Sequence, residues 1–189
     1  MLKNKGMRLV QLAHNQISEV LKPGDIGLDA TAGNGHDTLF LAKQVGLSGK
    51  VFSIDIQPQA IQNTKILVQK NGLDAVVQLL LGSHCDLLSL VDERAHGQVK
   101  ASMFNLGYLP GGDHAVITSA SHTIQAITQA YELTSAGGII SILCYRGHSG
   151  GKGETLSVEE LCESKQWFYE KKEGSENPTS PVLILIRKN

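Results

Sequence analysis

The stretch Asp29-Ala30-Thr31-Ala32-Gly33-Asn34-Gly35-His36-Asp37-Thr38 constrains this chain more than any other. It follows the apolar residues Ile26 and Leu28 and precedes Leu39, Phe40 and Ala42 at helical spacing. The order is strand, glycine turn, helix. Such a turn brings backbone N–H groups close to a ligand and opens the first unit of a wound α/β sheet.

The rest of the chain repeats the alternation. Met7, Val10, Leu12, Ala13, Ile17, Val20 and Leu21 predict a helix over 7–21, ended by Pro23-Gly24. Strands are expected at about 26–30, 50–55, 75–81, 99–105 and 139–145. Helices are expected at about 36–46, 60–71 (opened by Pro58, closed by Asn71-Gly72) and 118–134, with a short helical or irregular piece at 83–91. Ser157 and Glu160 have capping-box spacing and predict a further helix from Ser157. Two final strands, 167–172 and 182–187, are joined too briefly for a helical crossover, so they form an antiparallel hairpin. The fold class is therefore α/β: a doubly wound, seven-stranded, mostly parallel sheet with an antiparallel last strand. One domain over 1–189 is expected, with the 1–24 helical segment part of it. The helix at 118–134 packs on the sheet by default, although a homodimer could use it.

The 41% hydrophobic content suits a chain of 189 residues with one substantial core. No apolar run approaches a membrane span and no signal-type segment follows Met1, so a cytoplasmic protein with no membrane partner is expected. Cys85, Cys144 and Cys162 are scattered, as are the seven histidines, which predicts no metal and no disulfide framework. The net charge of −1 excludes a protein that coats nucleic acid non-specifically, while leaving room for a local patch. Lys3, Lys5, Arg8 and Lys22 against Glu19 form a mild basic bias near the N-terminus, read either as an RNA-facing surface or as solvated helix charge.

The turn's chemistry narrows the ligand. A carboxylate at Asp29 would repel a pyrophosphate and welcome an ammonium. The third position of the dinucleotide fingerprint is Thr38 rather than Gly or Ala. Both features favour S-adenosylmethionine, which carries an ammonium, a sulfonium and no phosphate. Asp55 lies 20 residues beyond Gly35, the spacing of an acid that binds ribose hydroxyls in either class of enzyme. After the third strand, Ser83 and His84 could contact an adenine, although Ser83 could equally cap a helix. After the fourth strand, Asn105-Leu106-Gly107-Tyr108 could accept hydrogen bonds from a substrate N–H and offer a stacking face, and Asp113 and His114 follow as candidate proton acceptors. The glycine-rich stretch after the fifth strand carries Arg146, His148 and Lys152. It reads as a phosphate-contacting loop, as a lid, or as a loop without a role.

Asn105 followed at the third position by Tyr108 resembles the Asn-Pro-Pro-Tyr motif of amino methyltransferases, with Leu-Gly in place of Pro-Pro. Together, the turn at 29–38, the segment at 105–114 and Tyr145-Arg146-Gly147-His148-Ser149-Gly150-Gly151 resemble a small bacterial group long labelled rRNA methylases. The resemblance runs from about Met7 to Arg187. It implies a Rossmann-like class I methyltransferase using S-adenosylmethionine, and an acceptor in the anticodon stem-loop of tRNA. That acceptor is 5-aminomethyl-2-thiouridine at the wobble position, which becomes the 5-methylaminomethyl form. The cofactor contacts it implies are Asp29, Asn34, His36, Asp55, Gln57, Ser83 and His84. Thr31, Gly33, Gly35, Asp37, Thr38, Ile56 and Asn105 join them as candidates from the same segments. Asn105, Tyr108, Asp113 and His114 are the candidate catalytic residues, and Tyr108, Arg146, His148 and Lys152 the candidate substrate contacts. Methylation of rRNA, methylation of a small amine, and a non-catalytic binding module remain open.

Overall fold

Apolar residues alternate along the central strands so that both faces of one sheet are buried. In the computed structural model, which describes residues 2–107, 120–148 and 150–189 with side chains from Arg8 onward, the elements run as follows. They are α1 (Leu2–Val20), β1 (Ile26–Asp29), α2 (His36–Val45), β2 (Lys50–Asp55), α3 (Pro58–Lys70), β3 (Val77–Leu81), α4 (Leu87–Leu90), β4 (Val99–Leu106), α5 (Ala120–Leu133), β5 (Thr134–Cys144), α6 (Gly151–Ser164), β6 (Phe168–Glu173) and β7 (Val182–Arg187). The seven strands form one sheet in the order β3-β2-β1-β4-β5-β7-β6. Neighbours from β3 through β5 are parallel, and β7 runs antiparallel to both β5 and β6. The strand order reverses between β1 and β4, the place where wound sheets open a crevice at their carboxyl ends.

Two apolar layers sandwich the sheet. Ala101 and Met103 of β4 and Leu183 and Leu185 of β7 face Leu9, Ala13, Ile17 and Leu21 at the α1 side and Leu41, Ala42 and Val45 of α2. Phe104 and Leu106 of β4 and Val182, Ile184 and Ile186 of β7 face Ala126, Ile127, Ala130 and Leu133 of α5 and Val158, Leu161 and Cys162 of α6. The period of two in β4 and β7 is what a strand covered on both faces requires. Helix α5 therefore packs on the sheet through its apolar side. No described helix is long and apolar enough to cross a membrane. Cys144 and Cys162 are buried, and burial pushes the Cys144 thiol up to about 12, so it packs as a small apolar group.

The expected strands and helices recur close to their anticipated bounds, with two differences that matter. Strand β5 begins at Thr134, directly after α5, and its register with β4 shifts between Val99 and Ala101. Helix α6 begins at Gly151 rather than Ser157, with Gly150 at its N-cap in the left-handed region at φ 86°. Ser157 is thus inside the helix and caps nothing. Glycines in the first turn masked this start, since glycine has poor helix propensity. Burial of Thr155, Val158 and Cys162 against the sheet outweighs that penalty.

Candidate active site

Side chains converge at the carboxyl ends of β1, β2 and β4, on either side of the strand-order reversal. The glycine turn sets their positions. Gly33 and Gly35 both lie in the left-handed region, at φ 54° and 82°. A Cβ on Gly35 would stand 2.8 Å from the Thr64 Cα of α3, so this glycine admits a neighbouring helix rather than a ligand. Asn34 Oδ1 accepts a hydrogen bond from Asn63 Nδ2 at 3.0 Å, a second tie from the turn to α3.

Asp29 is fully buried. Its Oδ2 accepts from Thr38 Oγ1 at 2.6 Å and its Oδ1 from the Thr31 N–H at 3.2 Å. Thr38 Oγ1 also lies 2.8 Å from Ser53 Oγ on β2. The direct ammonium contact expected of Asp29 needs a surface that this residue does not have. Its carboxyl closes the turn from beneath instead. Burial, with the nearby Asp37 charge, pushes it up to about 7.

Asp55, at the end of β2, is partly exposed. It accepts from the N–H of Gly33 at 2.9 Å and of Gln57 at 2.9 Å. Each carboxylate oxygen keeps a second lone pair, so Asp55 can still accept ribose hydroxyls. The adjacent Ile56 is 58% exposed and offers an apolar face beside that carboxylate. Across the crevice, Ser83 Oγ accepts from the Cys85 N–H at 3.3 Å, the capping alternative weighed from the sequence. His84 stands edge-on to Phe104, with ring centres 6.5 Å apart. Its Nε2 is buried and has no hydrogen-bond partner among the described residues. Burial, reinforced by His122, lowers its pKa to about 4, so near neutral pH the ring is uncharged. A buried neutral imidazole nitrogen without a partner suits a heterocyclic base.

At the end of β4, the Asn105 N–H donates to Thr31 Oγ1 at 2.8 Å, and Asn105 Nδ2 donates to Asp37 Oδ2 at 2.7 Å. Asp37 Oδ1 lies 2.6 Å from His14 Nε2 of α1. His14 stacks on Phe40 of α2, with ring centres 3.8 Å apart and planes within 3°. The sequence reading missed His14. Its available signal is a polar residue set between Val10, Ala13 and Ile17, on the apolar side of α1. It also missed Tyr145 at the carboxyl end of β5. That residue is 40% exposed and sits close enough to Gly107 that a Cβ there would lie 3.6 Å from its own. Burial and the Asp37 charge raise the Tyr145 hydroxyl above its usual range.

The remaining candidates fall in different places. His36 is exposed at the first position of α2. Arg146 turns to the β6–β7 hairpin, its Nε donating to the Ser180 carbonyl at 2.6 Å and its Nη2 lying 3.7 Å from Glu173. That engagement commits Nε to the hairpin, while the buried Nη2 has no hydrogen-bond partner among the described residues. His148 packs against the start of α6, where a Cβ on Gly151 would come within 3.0 Å of its Nε2. Lys152 is exposed on the first turn of α6 rather than in a loop. Tyr108, Asp113 and His114 lie outside the described residues. Among the described residues, no group of three His, Cys, Asp or Glu side chains converges as a metal site would require.

Comparison with known proteins agrees with this architecture. A chloroplastic tRNA (mnm(5)s(2)U34)-methyltransferase of Arabidopsis thaliana is 34% identical over 192 residues, covering 96% of this chain and 69% of that one. A solved structure described as a "putative rRNA-methylase" from Clostridium thermocellum superposes with a TM-score of 0.87 at 38% identity, covering 95% of this chain and 97% of the other. A "putative methyltransferase" from Streptococcus mutans, solved in complex with SAH, superposes with a TM-score of 0.83 at 31% identity, with coverage of 95% and 97%. A family model described as "Putative rRNA methylase" matches residues 51–187, from β2 to the end of β7. With that match and a relative 34% identical along nearly the whole chain, this protein belongs to the rRNA_methylase family of class I methyltransferases.

Proposed function

We propose that this protein is an S-adenosylmethionine-dependent tRNA methyltransferase. It transfers a methyl group to the amine of 5-aminomethyl-2-thiouridine at wobble position 34 and yields 5-methylaminomethyl-2-thiouridine. The observation that carries the reading is Asn105. Its Nδ2 is taken by the Asp37 carboxylate at 2.7 Å, which leaves Oδ1 to accept an N–H from an amine acceptor. The Arabidopsis relative's name specifies that wobble position, and the Streptococcus mutans relative was solved with SAH.

S-adenosylmethionine supplies an electrophilic methyl group on a sulfonium. Asp55 would hold its ribose hydroxyls, Ile56 would pack on the adenine, and His84 Nε2 would bond that base. The chain's remaining work is positioning, which can supply much of the rate in a displacement with an activated donor. An alkyl ammonium has no lone pair, so the site must receive the amine free or take its proton. Asn105 Oδ1 accepts one amine N–H and aims the lone pair. Asp113 and His114 are the candidate proton acceptors. The exposed face of Tyr145, beside Gly107, offers a surface for the pyrimidine ring, and Lys152 offers charge to an anticodon-stem phosphate.

The test is transfer of labelled methyl from S-adenosylmethionine to total tRNA and to ribosomal subunits, both from cells lacking the gene, followed by digestion and mass analysis. Label on the wobble aminomethyl-uridine is the expected result. Label in ribosomal RNA would replace the substrate with the one in the family's description. Label in neither, with SAH binding intact, would point to small amines and refute the tRNA assignment.

A further inference from the structure

We propose that His14 is a positioning residue for methyl transfer, acting through Asp37 to lock the Asn105 amide with its oxygen toward the acceptor. The inference rests on the amine-acceptor reading above.

An Asn side chain can present either its oxygen or its NH2 group to a substrate, and the two faces are nearly the same shape. An NH2 group facing the acceptor would meet the amine with hydrogens and could not aim its lone pair. A carboxylate only accepts hydrogen bonds, so Asp37 Oδ2, 2.7 Å from the amide, repels the oxygen and holds the nitrogen. This choice depends on Asp37 keeping its own plane. Its Oδ1 is held by His14 Nε2 at 2.6 Å. A ring nitrogen facing a carboxylate at that distance carries the proton and donates it. The imidazole is in turn held face to face on Phe40 at 3.8 Å. The backbone of Asn105 is fixed separately by Thr31 Oγ1. Three residues far apart in sequence, on α1, α2 and β4, thus form one chain of contacts ending at the acceptor. Asp37 is 8% exposed, so water competes weakly for these bonds.

Two substitutions separate the hydrogen bond from the packing. His14→Phe keeps a ring against Phe40 and removes the donor. His14→Gln removes the ring and keeps an N–H donor at similar reach. The expected result is a fall in kcat of about 10–100-fold for His14→Phe, by analogy with groups that orient a metal ligand through a hydrogen bond. KM for S-adenosylmethionine and SAH affinity by calorimetry should change little. His14→Gln should stay within about threefold of the parent kcat, by the same reasoning. Parent-like turnover in His14→Phe would overturn the proposal. So would equal loss in both variants, which would show that an N–H donor at that position does not sustain turnover.

A second readout is independent of activity. The Asn105 side-chain amide signals in a 15N-labelled sample, assigned by their loss in Asn105→Ala, should show slow hydrogen exchange in the parent and in His14→Gln. In His14→Phe they should exchange fast. Slow exchange in all three would refute the lock even if tRNA is methylated. A parent protein that shows the lock but methylates no RNA would refute the proposed substrate and leave the lock standing.

Discussion

Replacing Gly35 with alanine tests whether the glycine turn is built for a ligand or for a neighbouring helix. The residue sits at φ 82°, where a side chain costs about 1–2 kcal/mol. Alanine also stiffens the unfolded chain, which returns about 0.4–1 kcal/mol. Those terms apply equally to Gly72, at φ 67°, where an added Cβ would meet nothing within 4 Å. Gly72→Ala is therefore the control and should cost about 0–1.6 kcal/mol. At Gly35 the new Cβ would stand 2.8 Å from Thr64 Cα and 3.1 Å from Thr64 Cβ. The nearest atom belongs to the α3 backbone, so no rotamer change relieves the contact. Overpacking of this kind adds about 1–3 kcal/mol. The difference between the two variants isolates that steric part. Urea unfolding followed by circular dichroism reads it as a shift in midpoint at constant m value. Gly35→Ala should also weaken SAH binding, because a shifted turn carries the Gly33 N–H away from Asp55. Equal destabilisation by the two substitutions would refute the assignment of Gly35 to α2–α3 packing.

The Asp29 carboxyl gives a prediction in pH. In the folded protein it rises to about 7 from its usual 3.8, so between those values the folded state holds a proton that the unfolded state has lost. This contribution to the stability of the ligand-free protein is fully present below about pH 4 and is lost as pH rises to about 7, a change on the order of 4 kcal/mol. Asp29→Asn should flatten the stability profile in that window, and an unchanged profile in urea melts would remove Asp29 as its source. Lys152→Ala should reduce the slope of log affinity for an anticodon stem-loop against log salt by about one, with protein stability unchanged. Arg146→Ala should leave that slope alone and cost about 1–3 kcal/mol of stability, because Arg146 Nε is bonded to the Ser180 carbonyl. A lowered slope for Arg146→Ala would return that residue to the RNA surface.

The parallel sheet was legible from the chain because strands covered on both faces must be apolar along their length, as in Ile139–Cys144. The hairpin of β6 and β7 was legible because its connection is too short for a crossover. Helix α6 was not, since glycines at 150, 151 and 153 signal a loop locally and are overruled by burial further along. At the site, Asp55 could be placed by spacing alone, because a strand end and a turn define where its carboxylate goes. Asp29 and Asp37 could not be told apart in the same way. Both are acids in one short turn, yet Asp29 is sealed beneath it and Asp37 meets residues 23 and 68 positions away.

By itself the sequence determined the order of strands and helices, the glycine turn at the first of them, and the acids and amide at the strand ends. Hydrophobic periodicity and backbone stereochemistry act locally, so they can be read along the chain. Only the tertiary structure decided which carboxyl is sealed beneath the turn, that Gly35 yields to α3, that the Arg146 Nε bonds the hairpin, and that His14 reaches across to hold Asp37. Those outcomes depend on distances between segments remote in sequence, and such distances exist only once the sheet has closed between its helices.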